Sequence, residues 1–138
     1  MAASSHTYVA YKGSSMGPLF NPGDILQVIP YAGNKIRCGD VIFYSCLSQN
    51  CSVVHRMKAC EARGIRTKGD NNRRADPRIV QPHQVVGYVA YALSGQRWRR
   101  IRGGYIGSCA VKGARALERI SAWARLTRSA LHARSAVS

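Results

Sequence analysis

Three segments of this chain bring together the residue types of a serine-based acyl transfer. Ser15 sits in Gly13-Ser14-Ser15-Met16-Gly17-Pro18, and His55 in Val53-Val54-His55-Arg56-Met57. Asp76 closes the stretch Thr67-Lys68-Gly69-Asp70-Asn71-Asn72-Arg73-Arg74-Ala75-Asp76. A hydroxyl nucleophile, an imidazole base and an orienting carboxylate are the minimum kit for that chemistry. A serine hydroxyl is a poor nucleophile until a neighbour takes its proton. An imidazole, with an ordinary pKa of ~6.5, is mostly neutral at pH 7 and able to take it. Gly13 and Gly17 let a substrate backbone come close, and Pro18 stiffens the turn. Backbone N–H groups in such a turn can face a developing oxyanion. A Gly/Ser surface loop has the same composition, so this segment alone does not decide the matter.

Other residues compete for these roles. Lys58 and Lys68 are rival bases. Lys58 lies three positions beyond His55 on the same expected strand, which points it to the opposite face. Lys68 precedes a turn and reads as a solvated lysine. Two roles are open to Asp70: catalytic support, or a structural carboxylate accepting backbone N–H bonds inside the Gly-Asp-Asn turn. Ser14 is the second hydroxyl beside the nucleophile and a candidate oxyanion-hole or supporting group.

The elements that must position these groups read as strands. Residues 7–11 are β-branched and aromatic and run into Gly13; Asn21-Pro22-Gly23-Asp24 is a turn, and residues 25–29 follow as a strand. Residues 41–44 form a short apolar run. A long strand is expected from about residue 52 to 62, with Gly64 at a hairpin and residues 65–68 returning. Residues 69–78 read as loop, and residues 85–91 as another strand. Residues 97–102 are either an edge strand or the start of a tail. Short strands at about 10-residue spacing with Gly/Pro/Asn turns indicate an all-β domain.

After Gly103-Gly104 the composition changes. Residues 109–134 are rich in Ala, Leu and Arg, without proline. Leu117, Ile120, Trp123, Ala124 and Leu131 fall on one stripe, opposite Arg115, Glu118, Arg119 and Arg125, which predicts a basic amphipathic helix. The expectation is a mainly β catalytic domain over 7–96 and a basic tail over 97–138 with a helix at about 109–134. That tail carries ten Lys/Arg and a single acidic residue, Glu118, within a chain of formal net charge +15. Such an excess favours anionic partners. Three roles are open to the helix: packing on the β domain, lying on an anionic membrane surface, or binding nucleic acid.

With 138 residues, 46% hydrophobic and 20% charged, the chain has the composition of one globular domain rather than of a disordered segment. Its five cysteines, Cys38, Cys46, Cys51, Cys60 and Cys109, do not suggest a disulfide framework. The cysteines read first as ordinary half-buried thiols, although Cys46 and Cys51 flank an expected hairpin turn and can pair if oxidised. No second Cys/His pair accompanies them, so a zinc site is the weaker reading, and no cofactor is called for. No run approaches the ~20 apolar residues of a membrane span, and residues 1–6 lack the features of a signal peptide. The location expected from these features is cytoplasmic, or peripheral at a membrane.

Four boxes in fixed order resemble the type I signal peptidases. Ser15-Met16-Gly17-Pro18 with Asn21-Pro22-Gly23-Asp24 resembles the family's nucleophile box. Arg37-Cys38-Gly39-Asp40-Val41-Ile42-Phe43 resembles its Gly-Asp strand, Val53-Val54-His55-Arg56 its base-bearing strand, and Thr67-Lys68-Gly69-Asp70-Asn71-Asn72 its "KGDNN" loop. The resemblance covers about residues 7–92. It implies the β fold shared by signal peptidases and LexA-type repressors. His55 stands where the bacterial branch has a lysine, as in the endoplasmic-reticulum and archaeal branch. By that resemblance Ser15 is the nucleophile, His55 the base and Asp76 the acid. Two departures stand out. Fourteen residues precede Ser15, where the family usually carries a membrane anchor, and Gly13 replaces a serine that many members use at the oxyanion hole.

The function implied is a serine endopeptidase that processes signal or leader peptides, cleaving an extended segment after small residues. Its partners would be precursor substrates, an anionic membrane surface met by residues 97–138, and a membrane-anchored protein; nucleic acid is the lesser candidate. Two alternatives remain. One is a LexA-like, DNA-associated regulator, although such proteins use a lysine base and need a cleavage segment and DNA-binding region upstream of the serine. The other is a non-catalytic binding protein that keeps the fold.

Overall fold

The computed structural model describes residues 5–32 and 35–135; side chains at 111, 120 and 122–135 are outside that description. Eight strands form one antiparallel sheet. They are β1 (Thr7–Ala10), β2 (Ile25–Ile29), β3 (Val41–Cys46), β4 (Cys51–Glu61), β5 (Gly64–Lys68), β6 (Ile79–Val80), β7 (Val85–Ser94) and β8 (Arg97–Arg100). The spatial order is β1-β2-β7-β3-β4-β5-β6, with β8 paired to β7. One helix, α1 (Gly104–Ser135), follows. The mainly β body with a C-terminal helix expected from the sequence is the architecture observed.

The sheet has two apolar clusters. Tyr11, Met16, Phe20, Leu26, Val28, Val41, Val54, Val89, Ala92 and Ile101 form the larger, and Ile42, Tyr44, Met57, Ile65 and Val80 the smaller. Adjacent residues Val41 and Ile42 serve different clusters because successive strand side chains point to opposite faces. This double burial explains why β3 is an unbroken apolar run rather than an alternating one.

The segment Arg97–Arg100, open between strand and tail, pairs with β7, and Ile101 is buried behind it. The sheet therefore runs past residue 96. The helix begins five residues earlier than expected, at Gly104. Gly104 has φ +65°, a conformation that a side chain disfavours, and Gly39, with φ +92°, lies so close that a Cβ there would meet the Gly104 carbonyl oxygen. The first turns of α1 touch the body: Gly107 is buried, and Arg115 Nη1 donates to the Asp70 carbonyl oxygen at 2.6 Å. Tyr105, Ile106 and Leu117 are exposed. Of the apolar stripe expected along the helix, the side chains of Ile120, Trp123, Ala124 and Leu131 lie outside the description. Among those described, no helix is long and apolar enough to cross a membrane.

Candidate active site

Ser15 follows β1 in a tight loop whose anchors are its neighbours. Met16 is wholly buried in the larger cluster, and its N–H donates to the Tyr11 hydroxyl at 3.0 Å. Phe20 closes the loop from the same core, packed edge-on against Tyr11. The apolar side chain next to Ser15 thus fixes the loop and leaves the hydroxyl at the surface of the core.

The loop is held from its other side by the turn at residues 69–72. Asn71 N donates to the Ser15 carbonyl oxygen at 2.7 Å, and Asn71 Nδ2 to that of Ser14 at 3.2 Å. Asp70 N faces Met16 Sδ at 3.4 Å. A Cβ on Gly69 would lie 2.6 Å from the Ser15 carbonyl oxygen and 2.8 Å from the Asn72 side chain. Only glycine permits the turn to come this close. Among the described residues the Ser15 N–H has no hydrogen-bond partner, which leaves it available to an oxyanion.

His55 projects from β4 beside this loop. Its Nε2 lies 2.9 Å from Ser15 Oγ, and its Nδ1 lies 2.6 Å from Asp76 Oδ2. With the proton on Nδ1, the ring donates to the carboxylate and accepts from the serine hydroxyl. That tautomer makes both contacts good hydrogen bonds and is the one a general base requires. His55 and Asp76 are mostly buried, at 12% and 17% side-chain exposure, which keeps water from competing for either contact.

Asp76 comes from the loop between β5 and β6. Its N–H donates to the Thr67 carbonyl oxygen at 2.8 Å, and the Thr67 hydroxyl donates to Asp76 Oδ2 at 2.6 Å. Arg66 Nη1 donates to the Asp76 carbonyl oxygen at 3.2 Å. The carboxylate is therefore aimed before His55 meets it. A cavity of about 450 Å³ opens beside this pair, with Tyr44, Val53, Ile79 and Val80 on its apolar walls.

Asp70 does not reach this line. Both its oxygens are taken by Arg56, Nε to Oδ1 at 2.9 Å and Nη2 to Oδ2 at 2.8 Å, and both side chains are nearly inaccessible. Arg56 Nη1 also donates to the Gly39 carbonyl oxygen at 2.6 Å. This geometry favours a structural role for Asp70, but the carboxylate is held by the Arg56 guanidinium and not by the turn's backbone N–H groups as expected. Ser14 is exposed and contributes its carbonyl oxygen to the turn. Lys58 sits at the bulge that shifts the β4–β5 register between Met57 and Ala59, exposed and away from the Ser15 loop's contacts. Sequence reasoning assigned nothing to Arg56 or Thr67, although both lie inside the boxes that carried the resemblance. Among the described residues no cluster of His, Cys, Asp and Glu could hold a metal ion.

No protein-family model matches the chain. Similar proteins include the signal peptidase complex catalytic subunit sec11 of Penicillium rubens, 28% identical over 120 residues, covering 71% of this chain and 68% of the relative. The signal peptidase complex catalytic subunit SEC11 of Plasmodium falciparum is 30% identical over 99 residues, covering 60% of this chain and 53% of the relative. The match thus spans about half of the second protein. Both are catalytic subunits of the family that the four boxes resemble.

Proposed function

We propose that this chain is a serine endopeptidase of the signal-peptidase type, cleaving an extended precursor segment after a small residue. The observation that carries this reading is the continuous line Ser15 Oγ–His55–Asp76, with contacts of 2.9 and 2.6 Å. The similarity to two signal peptidase catalytic subunits supports the same class of substrate.

In this reading His55 Nε2 takes the Ser15 proton as Oγ attacks the scissile carbonyl. The bond to Asp76 stabilises the imidazolium that forms. The Ser15 N–H faces the oxyanion. His55 then returns the proton to the leaving amine, and water repeats the sequence on the acyl-enzyme. β1 is an edge strand leading directly into the Ser15 loop. An extended substrate adding along its open side would run toward the nucleophile.

The basic residues of 97–138 suit a peripheral attachment to anionic lipid, where such precursors are presented. A membrane-anchored partner would serve the same end. The test is cleavage of a precursor peptide series, with anionic vesicles present, in which only the residue before the cleavage point varies. Cleavage after Ala and Gly but not after Leu or Lys supports the reading. Indifference to that residue, or binding without cleavage, counts against it.

A further inference from the structure

Cys46 and Cys51 end the two strands of the β3–β4 hairpin and stand directly opposite in its register. Directly opposed residues in an antiparallel pair have Cα atoms ~4.5–5.5 Å apart. That lies within the ~4.4–6.8 Å span of disulfides. Both sulfurs face the same acceptor, Gln49 Oε1, at 3.9 and 3.8 Å, so the loop already turns them toward each other. Both are free thiols; Cys51 is exposed and Cys46 half-buried. An oxidant can reach them.

The hairpin tip is tied to the segment that carries the catalytic-site acid. Arg78 Nη1 lies 3.3 Å from Cys46 Sγ and also donates to the Ser48 hydroxyl. Arg78 is two residues beyond Asp76, joined to it through Pro77. Cys46, Ser48 and Arg78 share the walls of the cavity that His55 and Asp76 border. We infer that Cys46 and Cys51 are a peroxide-oxidisable dithiol whose closure to a disulfide loosens the Asp76–Pro77–Arg78 segment. The structural half of this inference stands alone; its effect on cleavage rests on the proposed peptidase function.

The two thiols are unequal in the way such a reaction needs. The Ser48 hydroxyl, and then the Arg78 guanidinium, hold the Cys46 thiol below its ordinary value. Partial desolvation at the tip, and the adjacent Cys46, push Cys51 up. Cys46 is the attacking thiolate and Cys51 the resolving thiol. The Cys46 thiolate attacks one peroxide oxygen and breaks the O–O bond. This gives Cys46 sulfenic acid and, after protonation, water. The Cys51 sulfur then attacks the sulfenic sulfur, forming the S–S bond and expelling hydroxide, which takes the Cys51 proton as a second water. The sulfurs lose two electrons in all and the peroxide gains them. A disulfide sulfur cannot ionise, so Cys46 no longer offers Arg78 a thiolate to pair with.

The experiment treats the full chain with hydrogen peroxide, digests it without reduction and maps the cross-link by mass spectrometry. It also follows amide exchange over residues 73–79 and cleavage of an Ala-x-Ala precursor peptide. The expected result is a Cys46–Cys51 cross-link reversed by dithiothreitol, and faster exchange over 73–79. Cleavage should fall several-fold, with no such fall in Cys51→Ala. Arg78→Gln should slow cross-link formation several-fold. Cross-links at Cys38, Cys60 or Cys109 instead, or Cys46 sulfinic acid with Cys51 free, would overturn the dithiol. A correct cross-link with unchanged exchange would overturn the link to Asp76. A reduced protein that cleaves nothing would contradict the proposed function while leaving the cross-link and exchange readings intact.

Discussion

Arg56 and Asp70 meet fork to fork in the core, Nε–Oδ1 at 2.9 Å and Nη2–Oδ2 at 2.8 Å. Arg56 adjoins His55 on β4, and Asp70 adjoins Asn71, which holds the Ser15 carbonyl oxygen. The pair therefore ties the strand that carries His55 to the turn that holds the Ser15 loop. Such a bidentate pair fixes orientation as well as distance.

Removing one partner leaves an unpaired charge in an apolar setting. Arg56→Leu should cost ~3–5 kcal/mol of stability. The double change Arg56→Met/Asp70→Leu should recover part of it, because no orphaned charge remains. Urea titrations of both variants and the parent measure this. A double variant no more stable than Arg56→Leu would mean that shape, not charge balance, governs this site.

Gly69→Ala tests the contact between the turn at residues 69–72 and the Ser15 loop. The added Cβ must displace both the Ser15 carbonyl oxygen and the Asn72 side chain. Overpacking of this kind costs ~1–3 kcal/mol. The loss of cleavage should exceed what unfolding accounts for, since Ser15 is among the residues displaced. Folded fraction and cleavage rate measured on one sample separate the two.

Thr67→Val removes the hydroxyl that donates to Asp76 Oδ2 and leaves the bond from His55 intact. Stability should fall by ~1–3 kcal/mol, because the Tyr44 hydroxyl, 3.3 Å from Thr67 Oγ1, loses its partner as well. The cleavage rate should drop several-fold with KM nearly unchanged, because the acid is less well aimed while the substrate path is untouched. Thr67→Ser should restore most of the rate.

The thiols at the hairpin tip should separate by pH. Thiolates, not thiols, react with iodoacetamide. Cys46, held below its ordinary value, should reach half-maximal labelling rate at lower pH than Cys51, which is pushed above it. Peptide mapping over a pH series reads both. A common midpoint would remove the asymmetry assigned to them.

Much of the sheet was legible because its signals are local. The apolar stretch Ile25–Ile29, the turn at Asn21-Pro22-Gly23-Asp24 before it and Gly64 at its hairpin follow from strand and turn sterics. β6, only two residues long, received no assignment between the loop over 69–78 and the strand from 85, since Ile79-Val80 shows no period of its own. The helix start was misplaced because Gly103-Gly104 reads as a breaker, whereas Gly104 opens the helix in a left-handed conformation. Ser15 and His55 were assigned from their boxes and Asp76 from its place four residues past Asn72; chain spacing alone carries no information on distances across 40 residues. Arg56 was passed over because a buried arginine looks in sequence like any surface charge. Its partner lies 14 residues away, across the β4–β5 hairpin, and only the fold brings the two together.

The most direct test of the account is cleavage of an Ala-x-Ala precursor peptide by the parent protein, Ser15→Ala and His55→Ala, all confirmed as folded. Expected are cleavage by the parent, none above background for Ser15→Ala, and a fall of ~10²–10⁴-fold for His55→Ala, the usual worth of a general base. Cleavage that survives in His55→Ala at the parent's rate, or persists in Ser15→Ala, would contradict it.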